Sequence, residues 1–390
     1  MIRGVISERE KDLPRFTIGK LLKIAAESKT IISLGPGEPD FSSPPNVLRA
    51  AKKAIKDKQT HYSPIAGRTD LRIAIAKKLK KDNRVNVTPD EVVVTNGSTE
   101  ALLLTLMTTL DPGETVMVPN PGFLAYIPMV EILNGVPLSI KLEESDGFQI
   151  TTEKLKEAFI PKKTRSIILN TPSNPIGVVL KKKTLEEIAD FAVEKNLLIL
   201  SDEAYEKQVY DDEKHISIGS LNGIEDHVIT LQSFSKTYAM PGFRVGYAAG
   251  PEKIIDGLKK LHIFTSLTGS TISQIAALEA LTGTQKYVCK MVDEYDRRRK
   301  MITRRLNEID GFECVKPNGA FYAFPNIKAF KKKSFVFAEW LLKNAKVACV
   351  PGTEFGKYGE GYVRFSYATA YDKIEKAMDR IEKSTKKLKT

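Results

Sequence analysis

Cysteine is scarce in this 390-residue chain, and the three present, Cys289, Cys314 and Cys349, are odd in number and far apart. With no C-x-x-C pair, neither a disulfide framework nor a zinc site is indicated, and reduced structural thiols are expected. Long hydrophobic runs are missing too. The longest apolar stretch, Ala101 to Leu110, is about half what a bilayer requires and already contains threonines, which argues against a membrane-spanning helix. The opening MIRGVISEREKD lacks the apolar core of a secretory signal, so a cytoplasmic location is the expectation. Repeats, low-complexity segments and a basic arm are also absent. The formal net charge of +12 comes from 60 Lys and Arg interleaved with 48 Asp and Glu. Two KKK runs, Lys181 to Lys183 and Lys331 to Lys333, read as solvated helix faces, because no nucleic-acid motif accompanies them. Neither nucleic acid nor a membrane is an expected partner.

What is present is the patterning of a large α/β protein. The length fits one large domain or a large domain with a smaller one. Apolar residues at helical spacing mark Thr17 to Glu27, Asn46 to Asp57 and Thr69 to Asp82, with the loops GPGEPDFSSPP and THYSPIAGR between them. From Glu91 onward short apolar runs alternate with helices. Strands are expected at Val92 to Thr95, Thr115 to Val118, Val136 to Ile140, Ser166 to Asn170, Leu197 to Leu200, His227 to Leu231 and Val245 to Ala249. The helices among them are Ser98 to Thr109, Phe123 to Leu133 and Thr184 to Lys195. Apolar strands alternating with helices imply a mostly parallel sheet sandwiched by helices. After Gly250 the expected helices are Thr271 to Thr282 and Tyr287 to Ile309, the latter with a charged face, EYDRRRK. Strands at Ala320 to Phe324, Lys346 to Val350 and Tyr362 to Tyr367, with helices Phe335 to Asn344 and Asp372 to Thr385, read as a smaller α+β domain. The boundaries expected are 47–285 for the large domain, and 1–46 with 286–390 for the small one.

The chemistry concentrates in LQSFSKTYAMPGFRVGYAAG, Leu231 to Gly250. Lys236 stands beside Ser233 and Ser235, and Pro241 and Gly242 turn the chain toward Arg244. Hydroxyls and a guanidinium suit a phosphate, and the amine is a nucleophile. An aldehyde cofactor with a phosphate, pyridoxal phosphate, would use both. A lone Ser-x-Ser-Lys is more often a surface turn, so other stretches must support it. In SDEAYE, Asp202 and Tyr205 follow an expected strand, at the carboxyl edge where parallel sheets bind ligands. A carboxylate there suits a protonated pyridine nitrogen and a tyrosine suits a ring phenolate, although Asp after a strand is also a common helix cap. NTPSNPIG places Asn174 in a loop held by two prolines. TNGSTEA ends a strand and opens a helix, with Gly97 allowing close approach and Ser98 and Thr99 in the first turn, an arrangement that binds anions. In GYVRFSYA, Arg364 interrupts an apolar strand. A buried arginine needs either a structural carboxylate or a carboxylate ligand.

Together, in this order, these motifs resemble the class I aminotransferases of pyridoxal-phosphate fold type I, in the aspartate/aromatic aminotransferase group. The resemblance runs from the GPGEPDF loop to the end. It implies that Lys236 holds pyridoxal 5'-phosphate as a Schiff base and shuttles a proton. Asp202 would pair with the pyridine nitrogen, Asn174 and Tyr205 with the ring oxygen. Gly97, Ser98, Thr99, Ser233, Ser235 and Arg244 would form the phosphate site, and Phe123, in NPGFLAY, would stack on the ring. Tyr62, in HYSPIAG, would reach the phosphate of a neighbouring subunit, making the active unit a homodimer with shared sites. Arg364 would grip the substrate carboxylate with Asn174 and the backbone of Gly37. Pro36 departs from the residues most often found in that loop. The Thr17 segment resembles the part that folds over the site in relatives.

The activity expected is transfer of an amino group from an L-amino acid, aspartate and/or aromatic, to 2-oxoglutarate by a ping-pong route. A lyase or decarboxylase of the same fold, or an aminotransferase for another amino acid such as alanine, is the nearest alternative. A ligand-sensing regulator with a decayed enzyme fold is disfavoured by the intact Lys236 and Asp202. Arg68, close to Tyr62, is a candidate for a second substrate carboxylate.

Overall fold

The computed structural model describes residues 30–388 continuously, with residues 6, 7, 10, 11, 13, 19, 24, 27 and 28 before them. The expected helix from Thr17 to Glu27 lies outside the continuously described residues. After a short β1 (Ile32–Ser33), seven strands build one sheet: β2 (Val92–Thr95), β3 (Thr115–Asn120), β4 (Val136–Lys141), β5 (Thr164–Asn170), β6 (Leu198–Asp202), β7 (Val228–Ser233) and β8 (Gly246–Ala249). Their order is β2-β8-β7-β6-β5-β3-β4, and only β8 runs antiparallel to its neighbours. The mostly parallel sheet expected from the apolar runs is therefore present.

The side-chain period of two divides each strand between two cores. Val116, Val118, Ile168, Leu200 and Ile229 face the helices Ser98–Thr109, Tyr126–Ile132 and Glu252–Thr265. Met117, Ile167, Leu169 and Ile199 face the opposite way, toward the helix Lys182–Lys195. Both faces are covered, which is why the strands could be so uniformly apolar. The helices Thr152–Ala158 and Glu252–Thr265 were not anticipated. In the second, Gly257 lies where an added Cβ would come within 2.3 Å of Thr108 Cγ2, so its small residue serves a close helix crossing.

Beyond the 23-residue helix Lys286–Glu308 come β9 (Tyr322–Ala323), β10 (Val347–Ala348), β11 (Val350–Pro351) and β12 (Val363–Ser366). The expected single strand Lys346 to Val350 is broken at Cys349. β10 pairs in parallel with β1, whereas β11 joins the antiparallel sheet β11-β12-β9. Part of the charged run on the long helix is not solvated. Arg299 is fully buried, donating to Asp211, Asp296 and the Pro317 carbonyl. Cys314 and Cys349 are buried, and burial pushes both thiols up to about 12, while Cys289 is exposed rather than structural. Among the described residues no helix is long and apolar enough to cross a membrane.

Candidate active site

Parallel strands present their carboxyl ends together, and here that edge collects the chemistry. Asn170, Asp202 and Leu231 are paired in register across β5, β6 and β7. Asp202 is thus the last residue of its strand rather than two residues past its end, because the ladder extends two residues further than the apolar run. Gly246 pairs with both Thr95 and Ser233, bringing the turn at Gly97 and the start of β8 to the same edge.

Lys236 sits in a single helical turn, Phe234–Thr237, where Ser233 Oγ accepts from the Ser235 N–H at 3.2 Å. Its Nζ donates to the Gly37 carbonyl, and burial, with the nearby Arg364 cation, lowers the amine to about 8. At Asp202, Oδ2 accepts from the Tyr126 hydroxyl at 2.7 Å and Oδ1 from the Ala204 N–H at 3.2 Å. Burial raises this carboxyl against those two hydrogen bonds, so a cation placed beside it would be strongly favoured. The Tyr205 and Tyr322 hydroxyls are 2.7 Å apart.

Arg364 is only 4% exposed. Its Nη1 donates to Asn174 Oδ1 at 2.8 Å and its Nη2 to the Gly35 carbonyl at 2.7 Å. Among the described residues no carboxylate pairs with it, and its buried Nε has no partner. The structural ion pair that sequence alone left open is therefore not found. With its oxygen occupied, the Asn174 amide retains its Nδ2 donors.

At the other end of the site the helix Ser98–Thr109 begins after Gly97, whose φ is +90°. A Cβ there would lie 2.5 Å from Arg244 Nη2, so only glycine lets the guanidinium rest against the helix N-terminus. Arg244 is held by the Pro241 and Asn96 carbonyls at 3.0 and 3.3 Å.

Gly37, Ser98, Thr99, Phe123, Asn174, Asp202, Tyr205, Ser233, Ser235, Lys236, Arg244 and Arg364 all line one cavity of about 340 Å³. Gly97 lies behind it. Tyr62 is 83% exposed and outside it in this chain, and Arg68 pairs with Asp70 at 2.7 Å. Tyr126 and Tyr322 were missed. Each reads in sequence as an ordinary core aromatic.

The family model for class I and II aminotransferases matches residues 29–381. The chain belongs to this family. An aspartate aminotransferase of Pyrococcus abyssi is 48% identical over 369 residues, 94% of either chain. Aromatic-amino-acid aminotransferase 2 of Thermococcus litoralis is 45% identical over 387 residues, 98% of this chain and 99% of that one. The aspartate aminotransferase of Thermus thermophilus solved with maleate shares the fold, with a TM-score of 0.93 at 34% identity, covering 98% of this chain and 100% of that one. The protein is thus an aminotransferase of fold type I.

Class I aminotransferases generally use pyridoxal phosphate, and the donor set fits that group. A helix N-terminus, four hydroxyls and a guanidinium suit its phosphate; the Gly97 close approach keeps that cradle open. A half-buried carboxylate suits its ring nitrogen, and a half-buried amine with lowered proton affinity suits its aldehyde.

Proposed function

We propose that this aminotransferase moves the amino group of an L-amino acid, aspartate and/or an aromatic one, to 2-oxoglutarate in two alternating half-reactions. The observation that carries this reading is the buried, carboxylate-free Arg364 guanidinium opening into the cavity that holds the Lys236 amine. A guanidinium with an unpartnered Nε in a desolvated site is matched by an α-carboxylate, which every amino acid and 2-oxo acid carries. The names of the relatives, aspartate on one side and aromatic on the other, support the side-chain range.

When bound, pyridoxal phosphate supplies an electron sink that lowers the barrier to losing the proton on the substrate α-carbon. The chain's residues do the rest. Ser98, Thr99, Ser233, Ser235, Gly97 and Arg244 would hold the phosphate, Phe123 would cover the ring, and Asp202 would favour a proton on its nitrogen. Tyr205 and Asn174 would donate to its oxygen. Arg364, Asn174 and Gly37 orient the substrate, and Lys236 Nζ takes and returns the α-carbon proton, a task suited to an amine near 8.

The same reading divides the chain into a large domain, 47–285, and a small one of 1–46 and 286–390. It makes the active unit a cytoplasmic homodimer in which Tyr62 serves the partner's site. Screening aspartate, phenylalanine, tyrosine and alanine against 2-oxoglutarate tests it. Aspartate and at least one aromatic donor should be accepted. A preference above ~10⁴ for a single donor would require a dedicated polar pocket and overturn the breadth.

A further inference from the structure

Tyr322 is fully buried, on β9, and three contacts converge on it. Its hydroxyl lies 2.7 Å from that of Tyr205. Its ring lies under Arg364, with the guanidinium carbon 4.4 Å from the ring centroid, and the same carbon lies 4.8 Å from the Phe355 ring centroid. On a third side it presses on Gly37, where an added Cβ would come within 2.7 Å of the hydroxyl oxygen. The Gly37 carbonyl in turn receives Lys236 Nζ.

We propose that Tyr322 is a positioning residue for both ends of the reacting molecule. Its ring face holds the Arg364 guanidinium for the substrate carboxylate, and its hydroxyl donates to Tyr205 so that Tyr205 can donate to the cofactor's ring oxygen. This rests on the aminotransferase reading of the site and adds a residue to it.

The donor order follows from what each hydroxyl meets. Tyr205 and Tyr322 both line the cavity, and once the Tyr205 proton points at the cofactor's ring oxygen the Tyr205 oxygen is left to accept. Either hydroxyl can donate across the 2.7 Å contact between them, so with the Tyr205 proton directed to the cofactor it is Tyr322 that supplies the proton between the two oxygens. Burial raises both phenols, which keeps them protonated donors at neutral pH. In a site shielded from water, a chain of two hydrogen bonds polarises along its length and strengthens the terminal one. The ring contact is separate. A guanidinium on an aromatic face gains electrostatic attraction without spending any N–H donor, which leaves Nε free.

Two substitutions split the roles. Tyr322→Phe keeps the ring and removes the hydroxyl, while Tyr322→Leu removes both. The protein loaded with pyridoxal phosphate is titrated by absorbance of the cofactor–lysine chromophore, and affinities for maleate and 3-phenylpropionate, carboxylic acids with no amine to transfer, are measured beside it. A donor to the ring oxygen draws charge from it and eases loss of the adjacent chromophore proton, so weakening the donor raises the midpoint. Tyr322→Phe should raise it by roughly 0.1–0.7 pH unit, with acid affinity within about twofold. Tyr322→Leu should raise it as well and weaken acid binding roughly two- to thirty-fold.

An unmoved midpoint in Tyr322→Phe would overturn the relay, and equal loss of acid affinity in both variants would overturn the ring's role. Failure of the wild-type protein to form the chromophore or bind either acid is a different result, which would remove the underlying reading of the site.

Discussion

At Lys236 the folded chain holds the amine at about 8, below the ordinary value of 10.5, because burial and Arg364 disfavour its charge. Between those two values an unfolded chain binds a proton that the folded chain does not, so stability rises with pH through that window and is level below it. For cofactor-free protein the gain is at most about 3 kcal/mol relative to Lys236→Met, which has no such proton. Urea unfolding of both proteins at pH 7.5 and 10 reads it, and parallel changes would refute the buried amine. Asp202 has a different task. Asp202→Asn keeps the shape but removes the charge beside the ring nitrogen, and single-turnover transfer from an amino donor should slow by ~10²- to 10³-fold. An unchanged rate would end that role. Lys236, Asp202 and Arg364 were legible because each is an unusual residue at a strand end or within an apolar strand. Tyr126 was not, although its hydroxyl holds the Asp202 carboxylate at 2.7 Å. A buried tyrosine has the same pattern in sequence whether its hydroxyl meets a carboxylate or a carbonyl.

Among the elements, the turn from β2 into the helix Ser98–Thr109 carries the sharpest constraint. Gly97→Ala meets both a backbone with φ +90° and the Arg244 guanidinium at 2.5 Å from the new Cβ. Either the helix N-terminus or Arg244 must withdraw from the anion site. Loss of one charge-assisted contact predicts roughly ten- to hundred-fold weaker binding of pyridoxal phosphate by equilibrium titration. Gly113→Ala is the control, since its φ is +83° but nothing lies within 4 Å of the added Cβ. It should cost stability without altering cofactor affinity, and equal affinity losses would show that strain rather than the cradle is responsible. The helix was predicted with its observed bounds because Gly-Ser-Thr punctuation and an apolar run are local signals. The helix Glu252–Thr265 was overlooked for the opposite reason. Its central Gly257 weakens the helical signal, and its purpose, contact with Thr108, is visible only once two helices have packed.

For the whole molecule, the shared site proposed for Tyr62 requires a second subunit. Tyr62 is 83% exposed, and Phe264, on a helix tied to the same loop, is 84% exposed. The tie is a hydrogen-bond contact at 3.0 Å between His262 Nδ1 and the Ile65 carbonyl. Two large exposed aromatics on joined segments are what a subunit interface would cover. Mixing Lys236→Ala and Tyr62→Phe chains should restore about a quarter of wild-type activity, because half the dimers then hold one intact site of two. No recovery after verified subunit exchange would remove the shared site. The sequence by itself determined the alternation of strands and helices, the turns at the strand ends and the order of the motifs. These depend on side-chain period, glycine and proline, which act over a few residues. Only the tertiary structure decided what each functional group meets. Tyr126 reaches Asp202 across 76 residues of chain, Tyr322 reaches Tyr205 across 117, and Arg364 finds an amide rather than a carboxylate across 190. Contacts so distant in sequence are set by the sheet order and the packing of its faces, and no local pattern encodes them.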